Sequence, residues 1–134
     1  MVEKMFTISL RIEHPSERFE AIAQKLALSP VFGYTVGDQR RTPKGRLLEG
    51  VNERTYCYFD IIPKQAGDFI DGLRQAISRL DFYGEFFREL TREGGRVELY
   101  AGIFVEGSTG FTLSVNDLEA LRRMALELSV EVYY

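Results

Sequence analysis

The chain has no tryptophan, one cysteine, one histidine and four prolines among its 134 residues. A lone cysteine, Cys57, excludes an internal disulfide and any multi-cysteine metal site within one chain, and it fits a reducing compartment. A lone histidine, His14, excludes a His-x-x-x-His pair, and no run of acids has calcium-loop spacing, so neither a metal nor a cofactor is expected. No G-x-G-x-x-G occurs, and the glycine and lysine spacing of a P-loop is missing, which removes the two commonest nucleotide signatures. Charge of one sign is also scarce. The 17 basic and 20 acidic residues leave a net charge of -3, which sets up no general field for polyanions and disfavours nucleic acid as a partner. No apolar run approaches the roughly 20 residues of a membrane helix. The head of the chain, Met1 to Met5, carries an acid and lacks the basic-then-apolar pattern of a secretory leader. A cytoplasmic protein with no membrane partner is the expectation.

What is present is enough for a core: 45% of the residues are hydrophobic, and the length suits a single domain over 1–134. Apolar residues alternate from Phe6 to Ile12 at the period of a strand with one buried face. His14-Pro15-Ser16-Glu17 predicts a helix start, with Phe19, Ile22, Ala23 and Leu26 on the buried stripe and Pro30 as the stop. Residues 31–54 read as a long glycine- and proline-interrupted loop with a short strand near Tyr34 to Val36. Thr55 to Ile62 predicts a central strand, 65–80 a helix, and the stretch from Asp81 to Leu90 a second helix capped by Asp81 and stopped by Gly94-Gly95. Val97 to Val105 is the clearest strand. Ser114, with Asp117 three residues on, predicts a capped helix burying Leu118, Leu121, Ala125 and Leu128 before a last strand from Val130. There is no internal repeat. The expected architecture is α+β, a largely antiparallel sheet with helices packed on one face.

If one apolar set faces the helices, the other sheet face displays Thr7, Ser9, Arg11, Tyr56, Tyr58, Asp60, Glu98, Tyr100, Phe104, Glu131 and Tyr133. Tyrosine combines apolar area with a hydrogen-bonding tip, so such a face can stack bases, bind a planar ligand or be covered by a second subunit. Asp60, Glu98 and Glu131 would repel a phosphate backbone, which favours a protein partner or self-association. Half-solvated tyrosines on an ordinary surface satisfy the same pattern.

The segment from Gly37 to Arg54 holds Arg40, Arg41, Lys44, Arg46 and Arg54 against Asp38, Glu49 and Glu53. Guanidinium groups beside glycine can hold a phosphate or carboxylate, although surface charge runs are commonly just solvated. Cys57 falls on the core-facing side of its strand and reads as a small hydrophobe. Asp60 and Glu98 would form a close carboxylate pair if their strands were adjacent.

The proline-started helix, Leu28-Ser29-Pro30, the loop Arg40-Arg41-Thr42-Pro43-Lys44-Gly45 with Leu48 and Gly50, and the ending Val130 to Tyr133 resemble a bacterial family known as domain of unknown function number 4279. Members of that family usually carry a tryptophan in the strand after the loop, where this chain has Tyr56 and Tyr58. The resemblance implies an α+β fold and a bacterial origin, and brings no established activity with it.

Two functions remain open at this point. One is a non-enzymatic binding domain that engages another protein chain, or its own copy, through the tyrosine face. The other is a module or enzyme for a small anionic molecule, held by Arg40, Arg41, Lys44 and Arg46 above a pocket lined by Tyr56 and Tyr58.

Overall fold

The computed structural model describes residues 4–134, so positions 1–3 of the N-terminal head lie outside the described residues. Strict alternation makes β1 (Met5–His14) a strand along its whole length, with Phe6, Ile8, Leu10, Ile12 and His14 buried on one side. It lies at the centre of a five-stranded sheet of order β2-β5-β1-β6-β7, built with β2 (Phe32–Tyr34), β5 (Thr55–Ala66), β6 (Arg96–Phe104) and β7 (Leu126–Tyr133). Every pair in this sheet is antiparallel except β6 with β7, which run parallel. Parallel neighbours need a crossover, supplied here by α4 (Val115–Arg123). The fold is therefore α+β on a mixed, mostly antiparallel sheet.

Among the described residues, four helices cover one sheet face and leave the other uncovered. α1 (Phe19–Leu26) contributes Ile22, Ala23 and Leu26, and α2 (Phe69–Leu80) contributes Phe69, Leu73, Ala76, Ile77 and Leu80. α3 (Gly84–Arg92) adds Phe87 and Leu90, while Leu121 and Met124 come from α4 and its C-cap. These residues meet Leu10, Ile12, Phe59, Leu99 and Ala101 in one continuous core. Gly72 of α2 allows a close approach: a Cβ there would lie 2.2 Å from Cε2 of Phe6.

Several elements differ from the sequence expectation, each for a local reason. α1 starts at Phe19, beyond Pro15, because the buried His14 ring organises the intervening turn. Its Nδ1 accepts the N–H groups of Ser16 and Glu17 at 3.1 and 2.8 Å. The helix ends at Leu26, ahead of Pro30, because Ala27 turns left-handed (φ 54) and Leu28 donates to the Ala23 carbonyl. β5 continues through Pro63 to Ala66, with a register shift against β1 in this region; a bulge tolerates proline, which has no N–H to give the ladder. Asp68 then caps α2, so that helix starts four residues later than its sequence pattern suggests. Asp81 does not cap α3 but begins a 3₁₀ turn, Asp81–Tyr83, joining α2 to α3. Leu118 is half exposed, and Leu128 belongs to β7, because Ala125 (φ 55) turns the chain after Met124.

Residues 31–54 are more ordered than a loop. They supply β2 and a separate two-stranded hairpin of β3 (Gln39–Arg41) and β4 (Leu47–Val51). The two arms of the hairpin are closed at the base by Gly37 N–H to Asn52 O and Asn52 N–H to Asp38 O, both 2.9 Å, and the Asn52 side-chain amide donates to the Thr35 carbonyl at 2.9 Å. No helix among the described residues is long and apolar enough to cross a membrane.

Candidate functional site

The uncovered face carries every side chain that the alternation assigned to it, in two chemically different halves. At the β2 and β5 edge, register places Phe32 opposite Tyr58 and Tyr34 opposite Tyr56. Ring centroids lie 5.6 Å apart for Tyr34 and Tyr56, 6.2 Å for Tyr56 and Tyr58, and 6.5 Å for Phe32 and Tyr58. Four rings thus make one contiguous patch at the spacing at which aromatic pairs attract. Burial by neighbouring rings raises the phenol pKa of Tyr34 and of Tyr56 above the ordinary value.

Across β1 the surface becomes a charged network. The Arg11 guanidinium sits 3.6 Å over the Tyr100 ring and 3.8 Å from Glu98. Tyr100 and Tyr133 both donate to Glu131, the latter at 2.9 Å. These bonds lower the Glu131 carboxyl pKa, and the bond to Glu131 raises that of the Tyr100 hydroxyl. Tyr133 stacks on Phe104 (4.9 Å, 13°), and Lys64 Nζ lies 3.9 Å over Phe104. Arg96 grips Glu127 with two bonds of 3.0 Å. Between the halves lies a depression of about 230 Å³ lined by Arg11, Glu13, Tyr56, Arg96 and Glu98. Its cations and acids alternate and compensate one another.

The six residues singled out by sequence fall in different places. Tyr56 and Tyr58 belong to the aromatic patch. Arg40, Arg41, Lys44 and Arg46 stand exposed on the hairpin, where Arg40 donates to the Glu49 carbonyl and Arg41 to that of Gly45. Arg41 borders a depression of about 340 Å³ shared with Phe19, Phe32 and Tyr34. Arg40 borders a different groove, of about 670 Å³, with Arg54, Glu13, Glu49 and Glu53. The cations and the two tyrosines are not gathered around one depression. Nor are Asp60 and Glu98 neighbours, because β1 runs between β5 and β6. Asp60 faces Ser9, and Glu98 faces Arg11.

The residues best suited by type to acid, base or nucleophile chemistry are engaged in structure. His14 is buried, with Nδ1 taken by two backbone N–H groups and Nε2 2.9 Å from Glu93 Oε1. With Nδ1 accepting two backbone N–H groups, both ring nitrogens are occupied by contacts within the fold. Cys57 is fully buried, and burial pushes its thiol pKa up to about 12, which suppresses the thiolate. No group of three or more His, Cys, Asp or Glu side chains able to hold a metal ion occurs among the described residues.

No family model, curated protein or solved structure matches this chain. Functional assignment therefore rests on its own side chains. The residues that the sequence reading missed are Phe32 and Tyr34, which complete the aromatic patch. Their alternation about Gly33, between Pro30 and Gly37, was the available signal.

Proposed function

We propose that this chain is a non-enzymatic binding domain that engages another protein chain through the uncovered sheet face, inside the reducing interior of a bacterial cell. The observation that carries the reading is the contiguous patch of Phe32, Tyr34, Tyr56 and Tyr58, continued by Tyr100, Phe104 and Tyr133, on a face that no helix covers. Rigid aromatic rings with polar tips lose little conformational entropy on contact and are enriched at protein interfaces. The acids Asp60, Glu98, Glu127 and Glu131 on the same face count against a nucleic-acid backbone. His14 and Cys57 are both engaged in structure, so neither offers an activated base or nucleophile, which counts against an enzyme.

The test is a photo-crosslinking residue placed at position 58, with a control at position 75 on the exposed side of α2, each expressed in the protein's own cells. A discrete crosslinked protein product from position 58 and none from position 75 is the expected result. Equal products from both positions, or none from either, would remove the reading.

The second reading is a small anion held at Arg41 beside the depression of about 340 Å³, with Phe19, Phe32 and Tyr34 as its apolar wall. Titration calorimetry with phosphate and small carboxylates would show heat in the wild type that Arg41→Glu abolishes; no heat in the wild type would sink it.

A further inference from the structure

The hairpin poses a question that the aromatic face does not answer. Outside it, every arginine except Arg79 pairs with a carboxylate, and Arg79 donates to the Ile61 carbonyl at 2.7 Å. Arg40, Arg41 and Arg46 pair with no carboxylate among the described residues, and neither does Lys44. Residues 40–46 hold these four cations and no acid. The same arm exposes two apolar side chains, Leu47 (53%) and Val51 (55%), which face Arg41 and Gln39 across the ladder. The arm is thus basic and apolar together: its four cations exceed its acids, Asp38 and Glu49, and none of the four forms an ion pair among the described residues.

The uncovered face has the opposite character. Its cations Arg11 and Arg96 are already paired with Glu98 and Glu127, and its third, Lys64, lies over the Phe104 ring, so the four acids Asp60, Glu98, Glu127 and Glu131 exceed the cations by one. Asp60 has no cationic partner among the described residues, and Glu131 is held by two tyrosine hydroxyls and no cation. The face is therefore aromatic with an acidic surplus. Dimensions agree as well. From Asp38 to Lys44 an extended arm reaches about 20 Å, and five strands spaced at about 4.8 Å span about 19 Å.

Resting on the reading of this face as an interaction surface, we infer that the partner is a second copy of this chain, and that two copies exchange their hairpins. Each basic arm lies across the acidic, aromatic face of the other protomer, with Arg40 and Lys44 toward Asp60 and Glu131, and Leu47 and Val51 against the rings. The contact is isologous, since arm meets face twice about a two-fold axis, so it closes at a dimer and does not propagate. Charge complementarity of this kind sets register and accelerates encounter, and it weakens with salt.

Sedimentation velocity of the full chain over a concentration series, at low and high salt, tests the exchange. A dimer at low salt that dissociates on adding salt is expected. An arm-reversed variant (Arg40→Glu with Lys44→Glu) and a face-reversed variant (Asp60→Lys with Glu131→Lys) should each sediment as a monomer where the wild type is dimeric. An equimolar mixture of the two should regain the dimer, because the acidic arm meets the basic face and the basic arm meets the acidic one. All four positions are exposed. Should either reversal fail to fold by circular dichroism, the neutral pairs Arg40→Gln with Lys44→Gln and Asp60→Asn with Glu131→Gln read the same contact as a weakened dimer. A wild type that stays monomeric at low salt, an arm-reversed variant that dimerises as the wild type does, or a mixture that stays monomeric would overturn the exchange. The face reading fails separately. A dimer indifferent to arm reversal but abolished by Tyr58→Glu removes the arm and keeps the face. A monomeric wild type that still crosslinks to another protein from position 58 removes the second copy and keeps the face.

Discussion

Phe59 and Tyr58 are consecutive residues of β5, yet Phe59 is completely buried beneath the helices while Tyr58 stands half-buried among rings on a face with nothing above it. The same contrast runs along β1, where Leu10 fills the core and Arg11 lies over Tyr100. On the covered side, stability comes from removing aliphatic surface from water against four helices. On the uncovered side, side chains satisfy one another laterally, through ring contacts, the Arg11 to Glu98 pair and the hydroxyls gathered on Glu131. The pleat lets one set of strands do both, because successive side chains point to opposite faces.

The sharpest way to break this contrast is to truncate both neighbours. Phe59→Ala should cost about 3–5 kcal/mol, the range for emptying a buried aromatic site, whereas Tyr58→Ala should cost about 1 kcal/mol or less, the scale of one cross-strand pair. Urea unfolding of the two variants checks this, and equal losses would mean that the open face is structural. Next in size is Gly72→Ala. Alanine favours a helix over glycine by about 1 kcal/mol, but its Cβ would meet the Phe6 ring at 2.2 Å. A net loss of about 1–3 kcal/mol is expected from overpacking, and a gain would show that the helix-covered core yields.

A smaller effect concerns Asp117, which completes a capping box with Ser114 and takes two bonds from Arg74, at 2.9 and 3.1 Å. Arg74 first, and the Ser114 backbone second, lower its carboxyl pKa well below the ordinary value near 3.9. A depressed folded-state pKa stabilises the fold fully above that ordinary value, and the contribution is lost as the pH falls through the folded value. Asp117→Asn should therefore melt earlier than the wild type at neutral pH, with the gap closing in acid, as thermal unfolding across that range would record. Least of all should happen at Cys57: in native protein a thiol reagent should leave it unmodified, and denaturant should expose it at once. Rapid native labelling would contradict its place in the core.

Much of this arrangement was legible because alternation survives translation into structure. Each residue assigned to the open face from period two alone lies there, and the Ser114 cap with Asp117 at the third position forms as read. What escaped depended on partners distant in sequence. Leu118, Leu121, Ala125 and Leu128 fit a helix by spacing, but a left-handed turn at Ala125, without glycine, sends Leu128 into a strand parallel to β6. The strand pattern from Thr55 stops at Ile62, yet β5 runs on through Pro63 to Ala66 with a register shift against β1. The basic segment looked like one anion cradle, whereas Arg40 and Arg41 border different depressions.

The central claim is that the aromatic face exists for contact and not for folding. Tyr58→Glu tests it most directly, since position 58 lies opposite Arg11, which can receive the new carboxylate. Measured side by side, the variant should unfold in urea within about 1 kcal/mol of the wild type and should lose its self-association in sedimentation. A variant that is as unstable as Phe59→Ala, or that is folded and still associates as the wild type does, would contradict the claim.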